Sequence, residues 1–588
     1  MSLARTHSIA LVGVQGHRVE IEVDIENGLV GLMLVGLPDT ALREARDRIR
    51  SAIVNSGERW PQRRITVGLS PASLPKRGSG FDLGIAAAIV AADGAVPAAR
   101  LPGMAFIGEL GLDGQARPIP GVLPAAAAAA AAGFSAVAVP AQNAQEASLV
   151  PGLRVLAVSC LGALLSWLRG VPPPEGAEPV RVIEGGAASE PASGAAARGS
   201  RAAARADGAA GRDGGAAGPD GGTAGRDGGT AGRDGGAGGV PGPAGPASWP
   251  SGAAGAGLAA GPGGAVWVAP ERDLADVVGQ PAARRAAEVC AAGGHHLMLL
   301  GPPGAGKTML AERLPTVLPR LEPSAALEVT AIHSVAGMLP AGVPLITRPP
   351  FCAPHHTATK AAIVGGGSGT IRPGAASLAH HGCLFLDEAP EFSRDVLDAL
   401  RQPLESGEVV IARSGVAARF PARFTLVLAA NPCPCARGAT AKSGCECTPM
   451  ARRRYLARLS GPLLDRVDVK VEFLPVSRAE LLSDRQLAEQ SSVVAGRVML
   501  ARQRAARRLR GTPWRLNGQI PGSELRRRYP PAPGGLAPLE RAMDIGEISA
   551  RGAHRVIRLA WTLADLAGLS RPGAAEVGYA LGLWLGLA

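Results

Sequence analysis

Lysine is almost missing from this 588-residue chain, which holds only Lys76, Lys307, Lys360, Lys442 and Lys470. Any activity that depends on a lysine therefore has few places to sit. Aromatic residues make up 3%, too few for a platform that stacks successive bases, and no RNA-binding signature is present. No uncharged apolar run approaches the roughly 18 residues needed to cross a bilayer; the longest apolar tract, Ala125–Ala132, is short polyalanine. Residues 1–30 carry no secretory pattern, since Arg5 and His7 precede only a short mixed segment, so a cytoplasmic protein with no membrane contact is expected. Acidic residues are the minority charge, 49 against 61 Lys and Arg, for a net +12. The basic residues are nearly all Arg, and Ala and Gly abound. The excess therefore reads first as the mark of a GC-rich genome, although it permits polyanion binding.

What is present centres on Gly301-Pro302-Pro303-Gly304-Ala305-Gly306-Lys307-Thr308. This stretch leaves an apolar strand, His296–Leu300, and enters a helix that begins near Met309. Strand, glycine loop and helix in that order form a phosphate-binding P-loop. Gly301, Gly304 and Gly306 let the backbone N–H groups face a polyphosphate, Lys307 reaches the β- and γ-phosphates, and the Thr308 hydroxyl ligates Mg²⁺. ATP with Mg²⁺ is the expected ligand pair.

Two further apolar strands end in polar groups. Cys383-Leu384-Phe385-Leu386 runs into Asp387 and Glu388, the first placed to hold the metal shell and the second to orient or deprotonate a water. Phe424–Ala430 ends at Asn431, which can reach a γ-phosphate or the water. Each group alone could cap a strand. Three together after a P-loop predict one nucleotide site at the carboxyl edge of a parallel sheet. Immediately beyond lie Cys433-Pro434-Cys435 and Cys445-Glu446-Cys447, half of the eight cysteines. Disulfides are disfavoured in the cytoplasm, so a four-thiolate Zn²⁺ site is the leading alternative, with free thiols or labile redox pairs as the competitor.

The length predicts three to four domains. Residues 1–170 alternate strands and helices, 265–475 hold the P-loop core, and 476–588 read as a helical lid. Residues 171–264 are nearly devoid of large apolar side chains and repeat Gly-Arg-Asp-Gly-Gly at Gly211, Gly225 and Gly232. A seven-residue period without an apolar seam excludes a coiled coil. The segment is expected to be a disordered linker with a span of roughly 50–60 Å.

The order of motifs has a relative. Leu463-Leu464-Asp465-Arg466-Val467-Asp468, following the Asn431 strand, resembles the AAA+ ATPases of the magnesium-chelatase and minichromosome-maintenance type. The resemblance implies that Arg466 enters the neighbouring subunit's site as an arginine finger. It also matches Arg551, in Ile548-Ser549-Ala550-Arg551, to the sensor-2 arginine, with Arg555 a second candidate. A finger supplied in trans can be worth about 10³–10⁵ in rate, so a homo-oligomeric ring, a hexamer, is implied. Further motifs are Gly36-Leu37-Pro38-Asp39-Thr40-Ala41, Gly78-Ser79-Gly80-Phe81-Asp82-Leu83, Thr330–Gly337, Ala353-Pro354-His355-His356 and Gly365-Gly366-Gly367. With these the chain resembles the YifB/ComM family. That resemblance implies an α/β protein with a Lon-protease-like N-terminal domain (ribosomal S5 domain 2-like), a AAA+ core and a C-terminal helical lid. Ala375 departs from the family's usual Glu.

A Lon-type protease needs a serine activated by a lysine. Lys76 precedes the glycine turn instead of following it, and the nucleophile position falls near Gly80, so no protease activity is expected. His355-His356 lack a third ligand and read as packing or pore-loop residues. The run Arg497, Arg502, Arg504, Arg507, Arg508, Arg510 is either a solvated lid face or a phosphate-contacting surface. Two functional classes remain. The family resemblance implies a hexameric DNA motor acting in branch migration during recombination and natural transformation. The alternative is a protein-remodelling or metal-insertion ATPase of the magnesium-chelatase or MoxR kind.

Overall fold

Alternation builds the N-terminal sheet. In β2 (Gln15–Glu26), Val19, Ile21, Val23 and Ile25 are buried while the residues between them are not. β2 pairs antiparallel with β1 (Ser2–Val12) from Ser2↔Ile25 to Val12↔Gln15. The other strands are β3 (Gly31–Val35), β4 (Arg64–Ser70), β5 (Met104–Phe106), β6 (Ala136–Pro140), β7 (Arg154–Val158) and β8 (Arg181–Glu184), in the order β8-β7-β6-β5-β1-β2-β4-β3. Helix α1 (Asp82–Ala92) is buried along its whole length, which its run of Ala, Ile and Val allows.

The computed structural model describes residues 2–36, 41–74, 76, 78–186, 265–266, 272–340, 343–367, 371–413, 416–435, 445–476, 478–484 and 488–587. One unit comprises Met1–Ala187 with Leu258–Ala588, and a second is Ala188–Gly257. The first part of the segment expected to be a disordered linker from residue 171 is instead folded onto the N-terminal sheet. Arg181–Glu184 adds β8 to the sheet edge, antiparallel to β7, and Val180 packs against the N-terminal core. The β-branched run Val180-Arg181-Val182-Ile183 satisfies an open edge that composition alone does not reveal. Residues 187–264 of that expected linker lie outside the described residues, as does the Leu37–Thr40 part of the glycine-led motif.

Helix α2 (Val122–Ala131) contains the polyalanine tract, and among the described residues no helix is long and apolar enough to cross a membrane. The N-terminal domain meets the P-loop core at a buried carboxylate. Glu146 accepts from Asn143 Nδ2 (2.6 Å), from the Leu123 N–H (3.3 Å) and from the Ser334 hydroxyl (2.6 Å).

The core is a second sheet: β9 (Ala265–Val266), β10 (Leu297–Leu300), β11 (Phe351–Cys352), β12 (Cys383–Leu386), β13 (Thr425–Ala430) and β14 (Val469–Glu472), ordered β9-β11-β12-β13-β10-β14. All but β9 run parallel. β10, β12 and the body of β13 are continuous apolar runs because both faces are covered. Around them lie α3 (Pro281–Gly293), α4 (Lys307–Val317), α5 (Pro323–Ala336), α6 (Pro449–Leu456), α7 (Gly461–Leu464) and the lid helices α8 (Ser491–Arg508), α9 (Ala550–Ala567) and α10 (Ala574–Leu585). The lid helices share one hydrophobic cluster with β10 and β14.

Because β8 belongs to the N-terminal sheet, a deletion meant to spare the folded unit must start after it. Removing residues 188–257 is expected to leave thermal stability and nucleotide hydrolysis within about twofold of the full chain, since Val240 and Trp249 are the only large apolar residues the segment offers for a core. Aggregation or loss of hydrolysis in that deletion would overturn the linker assignment.

Candidate active site

The register of β10 between its neighbours brings the site together. Leu300 stands opposite Ala430 on one side and Glu472 on the other. At the strand's end the Gly301 N–H donates to Ala430 O (3.1 Å) and the Phe473 N–H to Leu300 O (2.6 Å). A Cβ on Gly301 would stand 2.6 Å from Phe473 Cβ, so only hydrogen fits there. Gly304 (φ +78°) and Gly306 (φ +95°) then curl the chain through left-handed conformations that side chains disfavour. Pro302, Pro303 and Ala305 complete the loop, and α4 begins at Lys307, its first-turn amides available to an anion.

Lys307 is buried and its ammonium is satisfied by Gly301 O (2.6 Å), Pro302 O (2.8 Å) and Asn431 Oδ1 (3.1 Å). Burial lowers its pKa, against the opposing pull of Asp387 and Glu388. The next residue, Thr308, donates its hydroxyl to Asp387 Oδ2 (2.8 Å). This donor set fits Mg²⁺ with a nucleoside triphosphate. Hydroxyl and carboxylate oxygens suit a hard cation that keeps most of its water, and a single lysine faces the phosphates. Glu388 adopts φ +51°, unusual for a non-glycine residue; such backbone costs about 1–3 kcal/mol and gathers at functional sites. Its N–H donates to Asp387 Oδ1 (2.9 Å) and its carboxylate faces His356 Nδ1 at 3.4 Å.

His356 and Tyr455 are the site residues that sequence reasoning missed. The Ala-Pro-His-His motif was visible, but nothing local pointed it at Glu388. Tyr455, on α6, is buried against the backbone of Asn431, and burial pushes its hydroxyl up to about 12.

The arginines stand apart from this cluster. Arg466 ion-pairs with Glu405 and donates to Pro462 O. Burial and the like charges of Arg555, Arg401 and Arg551 lower its pKa. Arg551 is exposed in the first turn of α9 and makes no ion pair among the described residues. Arg555, the second sensor-2 candidate, is committed elsewhere, 2.6 Å from Asp468.

Family profiles match this architecture in three blocks: magnesium chelatase subunit ChlI over residues 273–481, subunit ChlI of Mg-chelatase over 21–143, and the ChlI C-terminal region over 488–583. An uncharacterised protein of Mycobacterium tuberculosis is 47% identical over 581 residues, covering 99% of this chain and 98% of that one. Protein YifB of Escherichia coli is 36% identical across 96% of this chain and 94% of its own. Competence protein ComM of Haemophilus influenzae is 35% identical across 98% and 97%. The chain belongs to the YifB/ComM family of magnesium-chelatase-like AAA+ proteins.

In this family member the four clustered cysteines converge. Sγ of Cys433, Cys435 and Cys445 are 3.2, 3.3 and 3.6 Å apart, and Cys447 joins them within 4.8 Å. A tetrahedral ion with Zn–S bonds of about 2.3 Å would have sulfur–sulfur edges of about 3.8 Å, so small relaxations suffice to hold zinc. A second group, Glu328 with His380 and His381, fits a metal poorly. His380 Nδ1 accepts the Arg423 N–H (2.9 Å), which leaves the ring proton on Nε2, aimed at Glu328 (3.1 Å) where a metal would sit.

In the N-terminal domain Lys76 is fully buried, its ammonium given to Gly36 O and Pro71 O, while the Ser79 hydroxyl bonds Glu109. The arginine helix α8 divides. Arg497 pairs with Glu288 and Glu489, Arg502 donates to Ala291 O, Arg504 to Asp565 O, and Arg508 to Asp565. Arg507 and Arg510 remain exposed and, with Arg515 and Trp514, line a hollow of about 440 Å³.

Replacing Glu388 by Gln keeps Thr308, Asp387 and Lys307 but removes the carboxylate expected to act on the water. ATP affinity is expected to change little, while hydrolysis falls by about 10²–10⁴-fold, measured by nucleotide binding and phosphate release. Near wild-type turnover would remove Glu388 from the chemistry.

Proposed function

We propose that this protein is an ATP-hydrolysing AAA+ motor that works as a hexameric ring on DNA, as a branch-migration helicase in recombination and natural transformation. The observation that carries the ATPase reading is the convergence of Lys307, Thr308, Asp387, Glu388 and Asn431 at one strand edge. Mg²⁺ held by Thr308 and Asp387 would neutralise the β- and γ-phosphate oxygens. Lys307 exchanges its loop carbonyls for phosphate oxygens, Asn431 orients the terminal group, and Glu388 takes the proton of the attacking water. The loose transition state leaves positioning and charge as the main work.

The ring reading is supported by where the arginines are not. Lys307 feels Asp387 and Glu388, whereas Arg466 feels Arg555, Arg401 and Arg551. A finger remote from its own lysine suits a neighbour's site, and Arg551, on the same side, acts there as the sensor. The N-terminal Lon-protease-like domain (1–170 with β8) serves as a non-proteolytic platform joined to the core (265–475) and lid (476–588), and residues 188–257 as a tether. Zn²⁺ at Cys433, Cys435, Cys445 and Cys447 is a structural ion.

The DNA reading draws on the printed competence name of a 35% identical relative and on the unpaired Arg507, Arg510 and Arg515. The ChlI profile over 273–481 favours the alternative, a protein-remodelling or metal-insertion ATPase. ATP-stimulated binding to forked DNA across a salt series separates them. A log–log slope near −0.9 per neutralised phosphate is expected, and it should shrink by about two to three when Arg507, Arg510 and Arg515 become Ala. No DNA binding at low salt would leave the alternative standing.

Metal content tests the cysteine knuckle. Protein purified under reducing conditions is expected to carry about one zinc per chain, reduced in Cys445→Ser together with the ATPase rate, because the loop starts two residues past Asn431. Zinc-free protein with full activity would reduce the four thiols to loop composition.

A further inference from the structure

The loop that carries Arg466 is gripped from behind by the lid. Arg555 Nη1, on α9, donates both to the Arg466 carbonyl (3.2 Å) and to Asp468 Oδ1 (2.6 Å). Asp468 is 2% exposed, and its other oxygen accepts from His295 Nδ1 (3.0 Å). A carboxylate only accepts, so this imidazole nitrogen carries the proton. The opposite ring nitrogen meets the Thr562 hydroxyl at 2.8 Å, two turns further along α9. Thr562 is bonded in turn by Asn517, which also holds Asp565, the partner of Arg508. The helix thus holds the loop at two points, with a fully buried histidine and a carboxylate between them. Arg555, Arg401 and Arg551 add like charge beside Arg466, whose guanidinium pairs with Glu405 while its backbone is held by Arg555.

We propose that Arg555 is a positioning residue for Arg466: through Asp468, His295 and Thr562 it clamps the finger loop to the lid, so that the lid of one subunit sets the geometry of its neighbour's catalytic site. Arg555 therefore acts in trans, unlike a sensor that reads its own nucleotide. Its Nη1 is given to Asp468 and the Arg466 carbonyl, which ties Arg555 to the finger loop. This rests on the ring reading, in which the P-loop of one chain and Arg466 of the next share a site.

Complementation in mixed rings of full-length chains tests it. Arg555→Gln alone is expected to lose about 10- to 100-fold in hydrolysis with the KM for ATP within about twofold, because misplacement by about 1 Å can cost 10²-fold. Mixed equally with Lys307→Ala, which keeps a sound finger, activity should return towards about a quarter of wild type, since each heterologous interface draws its two halves independently. Mixed with Arg466→Ala, no activity should return, because neither subunit then offers a placed finger. A residue acting on its own P-loop gives the reverse, no rescue by Lys307→Ala and rescue by Arg466→Ala, and one whose loss merely loosens its own subunit is rescued by neither. Either outcome overturns the proposal. Asp468→Asn, which keeps shape and loses charge, must give the same pattern, and it decides the question should Arg555→Gln fail to assemble. Arg466→Ala mixed with Lys307→Ala is the control. Failure of that pair to rescue would sink the ring reading itself, whatever Arg555 does.

Discussion

A parallel strand must end where its neighbours end, and here that constraint sets the chemistry. β10 is flanked by β13 and β14 in register, so the P-loop, Asn431 and Phe473 leave the sheet at the same level. The loop has to turn at once, against Phe473 on one side and Ala430 on the other, which is why Gly301 cannot carry a side chain. Lys307 is then brought back under its own loop, where three acceptors share its charge. A cation buried without acceptors would cost far more than the fold could offset; held this way it stays charged and can exchange carbonyls for phosphate.

That same register explains what could be read from the sequence. P-loop, Asp387–Glu388 and Asn431 each sit at the end of a continuous apolar run, so position along the strand predicted position in the sheet. The helix opening at Arg551 was legible because Ser549 caps it, its hydroxyl accepting the Gly552 N–H. The contacts of His356, Tyr455 and the Arg555–Asp468–His295 chain were not, since their partners lie 24 to 173 residues apart along the chain. No periodicity encodes such pairings. Edge strand β8 was hidden for a different reason: four residues beside a Gly- and Ala-rich segment carry little compositional weight, and what orders them is the open edge of β7.

The arginine helix shows how charge counts mislead. The run on α8 was consistent with either a solvated face or a polyanion surface, and the structure gives most of it a third role. Arg497, Arg502, Arg504 and Arg508 knit the lid to α3 and α9, with Arg508 also 4.2 Å over the Trp561 ring. These are packing elements whose charge is offset by carboxylates and carbonyls. Within the run only Arg507, with Arg510 and Arg515 beyond the end of the helix, keeps its charge uncommitted among the described residues, so any polyanion contact from this helix rests on a minority of its guanidiniums.

On the proposed reading, the division of cations between the two halves of the molecule has a consequence for control. The P-loop edge of a single chain holds one lysine and two acidic groups, Asp387 and Glu388, around a substrate that is itself highly anionic. Arg466 and Arg551 lie elsewhere, attached to the lid through Asp468 and α9. A lone chain can bind nucleotide with Lys307 and the α4 amides, yet lacks the charge that stabilises the departing phosphate. Closing the ring supplies it, and the supply passes through the lid, the part of the chain that shares a core with the P-loop strand itself. β10 and α4 share a hydrophobic cluster with α9, and α9 holds the loop that carries Arg466 through Arg555. Neighbouring sites become linked through packing that each chain already contains, which is the arrangement that sequential firing around a ring requires.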